Sequence, residues 1–476
     1  VIRGRVIFVL AAASPLLGCV VGPDYLKPAA IVPGQYKELK GWKVASPRDD
    51  FAKGEWWKPF GDRELDALES QVTISNQTLK ADEANYRQAV ALIAEARASL
   101  YPTVNFDPSI TRSNPANVLL DAEASGSWTP DIWGKVRRAV EQQGAAAQVS
   151  AADLANARLS AQSTLALAYV QLREADSLRD LLADTVKQYQ RSLDITQNQY
   201  TAGTSAKSDV ITAQAQVLAA QAQEINTGVA RAQNEHAIAV LMGRPPSGLS
   251  IHHAPLAQDI PAIPAQLPST LLERRPDIAA AERTMAEENA AIGVAIGGYY
   301  PDLTLSAAYG YSGNPFIQQI AGANPAWSLG AALAQPLFNG GLTDAQVAAA
   351  RAAYDSSMAT YRQTVLTAFQ QVEDNLVAIR VYGEEIKVQT EAVKSAEQAV
   401  QIALNEYRAG TQNFTTVVTA EATALTDEQS LLATRANRLS AAVSLVVALG
   451  GGWREDELPS PKVPPPPLTP TALLAP

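Results

Sequence analysis

Two tracts of the chain, residues 131–244 and 337–458, contain no proline. Within each, apolar residues recur at steps of three and four. The second series runs Val365, Phe369, Val372, Leu376, Ile379, Gly383, Ile386, Thr390, Val393, Glu397, Val400, Leu404 and Tyr407, with only Gly383, Thr390 and Glu397 interrupting it. A sustained 3.5-residue period predicts left-handed supercoiling against neighbouring helices. The first tract repeats the pattern at Leu182, Val186, Tyr189, Leu193, Thr196 and Tyr200. A helix over residues 135–199 would be about 98 Å long at 1.5 Å per residue. No single globular core covers that length, so it must pack along other long helices. Each tract then breaks at a Tyr-x-Ala-Gly-Thr string, Tyr200 to Thr204 and Tyr407 to Thr411. Glycine supplies the left-handed backbone that ends a helix. Ser205 or Ser208 is expected to cap the returning helix.

The two tracts are related. Tyr200–Gly243 aligns without gaps on Tyr407–Gly450, with 13 identities in 44 positions, Arg231/Arg438 among them. The chain reads as a tandem duplication with one helical hairpin in each half. Before each hairpin lie two short segments of period two. In the second half Leu303, Leu305, Ala307, Tyr309 and Tyr311 alternate with Thr304, Ser306, Ala308 and Gly310; Trp327, Leu329, Ala331 and Leu333 alternate with Ser328, Gly330, Ala332 and Ala334. In the first half Val104, Phe106 and Ile110 alternate with polar neighbours, as do Leu120, Ala122, Ala124, Gly126 and Trp128. An apolar outside and a polar inside is the pattern of transmembrane barrel strands, and it also fits half-buried strands of a soluble sheet. Four strands cannot close a barrel, because the smallest have about eight. Copies of the chain must pool them, two giving eight strands and three giving twelve.

The N-terminus carries an address. Arg3 and Arg5 precede an uncharged run from Val6 to Leu17, then Gly18 and Cys19. That order describes a secretory signal peptide, and the run is too short to span a bilayer, which takes about 20 residues. Cys19 is the chain's single cysteine, so no intrachain disulfide and no multi-cysteine metal site can form. Beyond residue 18 no run of 18 or more apolar residues occurs. A span, if present, is then a closed β-barrel.

Composition narrows the function classes. Net charge is −10 with 38 basic and 48 acidic residues, which disfavours nucleic-acid binding. Three histidines leave little scope for acid–base catalysis, and no phosphate-loop lysine, Gly-x-Ser-x-Gly elbow or His-Glu-x-x-His occurs. The reading is no enzyme, no cofactor and no metal. His252-His253 falls in the proline-rich connection, where exposed loop histidines are the default.

Five strings then fall in order: Trp56-Trp57-Lys58-Pro59-Phe60-Gly61-Asp62, Asp131-Ile132-Trp133-Gly134-Lys135, Leu267-Pro268-Ser269 followed by Arg274-Arg275-Pro276-Asp277-Ile278, Gln335-Pro336-Leu337-Phe338-Asn339-Gly340-Gly341, and both glycine turns. With the duplication, they make the chain resemble outer-membrane efflux lipoproteins of the TolC/NodT/OprM family, from Cys19 to about Trp453. Leu16-Leu17-Gly18-Cys19 resembles the lipobox of bacterial lipoproteins, which implies acylation at Cys19 as the mature N-terminus, and Val20 after it favours the outer membrane. The mature charge becomes −12 once the two signal arginines are removed from the 38.

The resemblance implies an α+β membrane protein of TolC-like fold: a homotrimer with a twelve-stranded barrel in outer-membrane lipid and a helical tunnel into the periplasm. Its organisation would be a signal peptide at 1–18, a lipidated segment at 19–65, repeats at 66–246 and 271–453, a connection at 247–270 and a disordered tail at 454–476. Its partners would be a periplasmic adaptor and an inner-membrane transporter, and its work the export of small molecules without chemistry. A protein-secretion duct and a lipid-anchored coiled-coil tether are the competing readings. By the same resemblance Gly203, Thr204, Gly410 and Thr411 meet the adaptor at the periplasmic tip. Tyr407 and Asp209 match the family's aperture latch, and Gln412 stands where the family has an arginine, which predicts a looser latch. Thr416 and Thr419 stand where some members carry an aspartate ring, with Glu421 nearby as a candidate acid.

Overall fold

A computed structural model describes residues 20–29, 32–38, 55–113, 117–257, 259–261, 274–313 and 326–458. Cys19, the preceding address, Leu267-Pro268-Ser269 and the C-terminal tail lie outside them. Two short helices come first, α1 (Arg63–Ser75) and α2 (Gln77–Ala98), broken at Asn76. Strands β1 (Thr103–Ser113) and β2 (Asn117–Trp128) follow, then the helices α3 (Lys135–Thr201) and α4 (Lys207–Leu241). The second half repeats this order with α5 (Pro276–Gly297), β3 (Asp302–Gly313), β4 (Ala326–Ala334), α6 (Leu342–Arg408) and α7 (Phe414–Ala448).

The duplication reaches individual lengths. Both long helices have 67 residues and both returning helices have 35. At 1.5 Å per residue that is about 100 Å against about 52 Å. Each returning helix therefore covers only half of its partner, and a short helix stacks on its end to continue the cover. At the first junction Asn76 Nδ2 donates to Leu241 O at 2.7 Å and Ser75 Oγ to Met242 O at 2.6 Å. At the second, Arg275 Nη1 donates to Ala448 O at 3.0 Å. Buried C-terminal carbonyls need such partners. The equivalent glycines Gly243 and Gly450 permit the close stacking, with φ of 65° and 96°. A Cβ on either would run into backbone, Ser75 O at 2.2 Å or Arg274 O at 1.9 Å.

The predicted stripe lies inside. Val365, Phe369, Val372, Leu376 and Ile379 are buried in the main core with Leu165, Leu172, Ile238, Ile278 and Leu445. Toward the tip the burial moves by one position, from Glu397 to Ala396, and leaves the carboxylate in water. Helix α7 is long and apolar enough to cross a membrane. Its sequence is that apolar because it packs on both α6 and α3, so length and composition describe a core helix here.

Candidate functional site

The four strands form one antiparallel sheet in the order β1-β2-β3-β4. Its register puts the apolar positions on one face. Val104 pairs with Gly126, Gly126 with Ala307 and Ala307 with Leu329; Phe106, Ala124, Tyr309 and Trp327 form the next row. On that face Val104, Phe106, Ile110, Trp327, Leu329 and Leu333 are each more than two-thirds exposed. The other face carries Thr103, Asn105 and Asp107 with Ser125, Ser127, Thr304, Ser306 and Ser328. An exposed sheet that is apolar on one side and polar on the other is a lipid-to-water wall. Among the described residues strands β1 and β4 each leave an edge unpaired, a template for pairing with another copy.

Where the sheet meets the helices, the N-terminal segment is pinned. Val21 N donates to Trp133 O at 3.0 Å, and Arg138 donates to Val21 O, Gly22 O and Asp24 Oδ1. Gly22, at φ 92°, lies against the backbone of Gly293. Trp133 stacks on Tyr300 with centroids 4.9 Å apart and donates to Pro301 O. Residue 20, next to Cys19, thus sits at the foot of the sheet.

The opposite end of the coil holds both glycine turns. Thr204 N donates to Gln199 O and Thr411 N to Glu406 O, and each threonine hydroxyl bonds the same carbonyl. Gly203 and Gly410 have φ of 77° and 71°, with open space around both. The left-handed backbone, not crowding, requires glycine there. Gly203, Thr204, Gly410 and Thr411 are all exposed.

Neither Ser205 nor Ser208 caps α4, whose N-cap is Ala206 without a side-chain bond. Ser205 has other partners. Its Oγ donates to Asp209 Oδ2 at 2.9 Å and lies 3.0 Å from the Tyr407 hydroxyl. A carboxylate only accepts, so Ser205 gives its one proton to Asp209 and the Tyr407 hydroxyl donates to Ser205. Tyr407 and Asp209 are thus joined through Ser205 rather than directly, across the gap between the two hairpins. Tyr407 is 5% exposed. Its ring lies 5.2 Å from Phe414, in a cluster with Ala213, Ala403 and Val417. Gln199 Nε2 adds a bond to Tyr407 O at 3.2 Å. Gln412 is not part of this link: its Oε1 lies 3.3 Å from Thr416 Oγ1, whose one proton it shares with Asn413 Oδ1 at 3.1 Å. The Thr419 hydroxyl bonds Thr415 O of its own helix.

Within the chain Glu421 points into the seam between the hairpins and not into open solvent. It is buried against α3 and accepts from Ser192 Oγ at 2.5 Å. Burial pushes its carboxyl up to about 7, and the serine bond partly opposes this. Nothing in the linear pattern marked Ser192, because an isolated serine on a coil face carries no periodic signal.

In the connection His253 has side-chain partners, whereas the His252 ring is exposed and its carbonyl is bonded. His253 lies 3.1 Å from Asp176 and 3.0 Å from Asp180. Arg173 binds the His252 carbonyl, Glu64 and Asp176, tying the connection to α3. Among the described residues no cluster could hold a metal ion.

A model of a family described as "Outer membrane efflux protein" matches residues 68–244 and 267–451, one segment for each half. The chain belongs to that family. It is 31% identical over 470 residues to the pyoverdine export outer membrane protein OpmQ of Pseudomonas aeruginosa, covering 94% of this chain and 97% of that protein. It is 28% identical over 461 residues to the toluene efflux pump outer membrane protein TtgC of Pseudomonas putida, covering 94% and 95%. The solved outer-membrane channel OprN superimposes with a TM-score of 0.85 at 28% identity, covering 91% of this chain and all of that one. The Campylobacter jejuni channel CmeC superimposes with a TM-score of 0.84 at 20% identity over 92% and 96%, which speaks to fold alone. The fold is TolC-like, the family's place is the outer membrane, and its members are channels, not enzymes.

Proposed function

We propose that three copies form the exit duct of an efflux pump, with a shared twelve-stranded barrel in the outer membrane and a helical tunnel below it. The carrying observation is the open four-stranded sheet with an exposed apolar face and an unpaired strand at each edge. Three such sheets give twelve strands, a closed wall with no edges. The helices carry exposed apolar positions in heptad register, Ile211, Leu218 and Ile225 seven apart on α4, and Val381, Val388 and Ile402 on α6, where Ser395 interrupts the series. Such stripes suit packing against a second copy along the coil. A lipid-anchored tether needs none of the sheet.

The finer assignments rest on position. Acylation at Cys19 would anchor the chain where residue 20 meets the foot of the sheet. The exposed turn residues Gly203, Thr204, Gly410 and Thr411 would face the periplasmic adaptor, and an inner-membrane transporter would select the cargo. That cargo is read as small molecules, as the names of the toluene and pyoverdine exporters suggest. Asp209, Ser205 and Tyr407 would hold the aperture closed, without a contribution from Gln412.

Purified protein run unheated in detergent, then reconstituted in a planar bilayer, tests the reading. A heat-sensitive trimer that conducts supports the duct. A monomer that never conducts overturns it in favour of the tether.

A further inference from the structure

Ser192 lies on the first hairpin and Glu421 on the second, so their bond crosses the seam between hairpins near the tip. Glu421 is 4% exposed. Its Oε2 is buried without a hydrogen-bond partner among the described residues. Among the described residues no cation acts on its carboxyl. From α3 comes the buried Tyr189, which lies in the field of both Glu421 and Glu428. From α7 itself comes Glu428, one heptad along, and from α6 comes Glu397, close enough to Glu428 to act on it. Ala396 and Val400 of α6 form an apolar wall with Ala424. On α4, Asp209 is engaged tipward with Ser205, and Glu224 acts on Lys187, which pairs with Asp184 in water. A carboxylate in this place faces burial and one orphaned oxygen, with no cation acting on it among the described residues.

We propose that Glu421 is a proton-controlled catch on the seam between α3 and α7. Protonated, it lets the hairpins lie together. Ionised, it favours parting of the seam, because water can then reach the carboxylate. This rests on the reading of the tip as the duct's aperture. The sign follows from linkage. The shut seam holds the proton to about pH 7, and a hydrated carboxyl returns to its ordinary value of 4.5. Below the lower value both states are protonated and pH has no effect. Between the two values each pH unit favours the parted seam up to about tenfold per protomer. Above the upper value the effect levels off.

The test is conductance of the intact wild-type protein in a planar bilayer from about pH 5 to about pH 8, beside Glu421→Gln and Ser192→Ala. Wild-type open occupancy should rise with pH. Glu421→Gln should stay at the acid level throughout. Ser192→Ala removes the bond that favours the carboxylate, so its midpoint should move to higher pH. A Glu421→Gln profile that follows the wild type overturns the catch and leaves the duct intact. If that variant fails to assemble, an unmoved midpoint in Ser192→Ala overturns it instead. Absence of any wild-type pore at any pH sinks the aperture reading itself.

Discussion

Tyr407 and Asp209 stand on different hairpins, and the Ser205 hydroxyl joins them by a hydrogen bond to each. That single atom fixes what each substitution should do. Asp209→Ala removes the acceptor, and Ser205→Ala removes the relay. A hydrogen bond to a charged group contributes about 1.5–3 kcal/mol and a neutral one about 1 kcal/mol. Both variants should conduct more than wild type, Ser205→Ala at least as much as Asp209→Ala. Tyr407→Phe keeps the ring on Phe414 and should show a smaller increase. Equal currents from all four proteins would remove this link from gating. A different residue reports on stability. Glu69 is fully buried, both its carboxyl oxygens have no partner among the described residues, and burial pushes it up to about 9. An acid raised on folding costs nothing below its ordinary value of 4.5 and progressively more as pH climbs toward 9. Glu69→Gln should therefore raise the thermal midpoint near pH 8 and leave it unchanged near pH 4. A shift of equal size at both would show that charge is not the cause.

At the scale of elements, the end-to-end stacking of α4 on α2 and of α7 on α5 was not visible in the linear pattern. Sequence periodicity marks which face of a helix is buried, not which helix continues the cover where its partner stops. Gly243 and Gly450 aligned as helix ends, which they are, but their second role depends on carbonyls contributed by residues 75 and 274. Gly450→Ala meets both a left-handed φ and a backbone collision, so it should cost about 1–3 kcal/mol or more. Gly203→Ala, at a similar φ in open space, should cost only about 1 kcal/mol. Thermal melts of the two side by side check the difference. The stripe from Val365 to Tyr407 was legible because steps of three and four survive any choice of partner. The shift from Glu397 to Ala396 was not, since it comes from the geometry of the neighbouring coil.

At the scale of the whole molecule, the two ends of the coil do different work. One end holds an apolar wall with unpaired edges, the other two exposed turns. A charge placed at the middle of the wall should block assembly. Leu329→Arg would place a cation on the lipid face at a cost of about 2–4 kcal/mol per copy at the bilayer midplane. It should abolish the unheated trimer band, whereas Ser328→Arg on the opposite face should retain it. Loss of the trimer in both would count against the assignment of faces. By itself the sequence determined the duplication, the coil, the alternation of the strands and both turns, because each is a local rule repeated along the chain. Tertiary structure alone decided that four alternating segments share one register, that Ser205 bridges the hairpins and that Glu421 is dry against Ser192. Those are meetings of residues about 200 positions apart, and periodicity says which way a side chain faces but not what waits there.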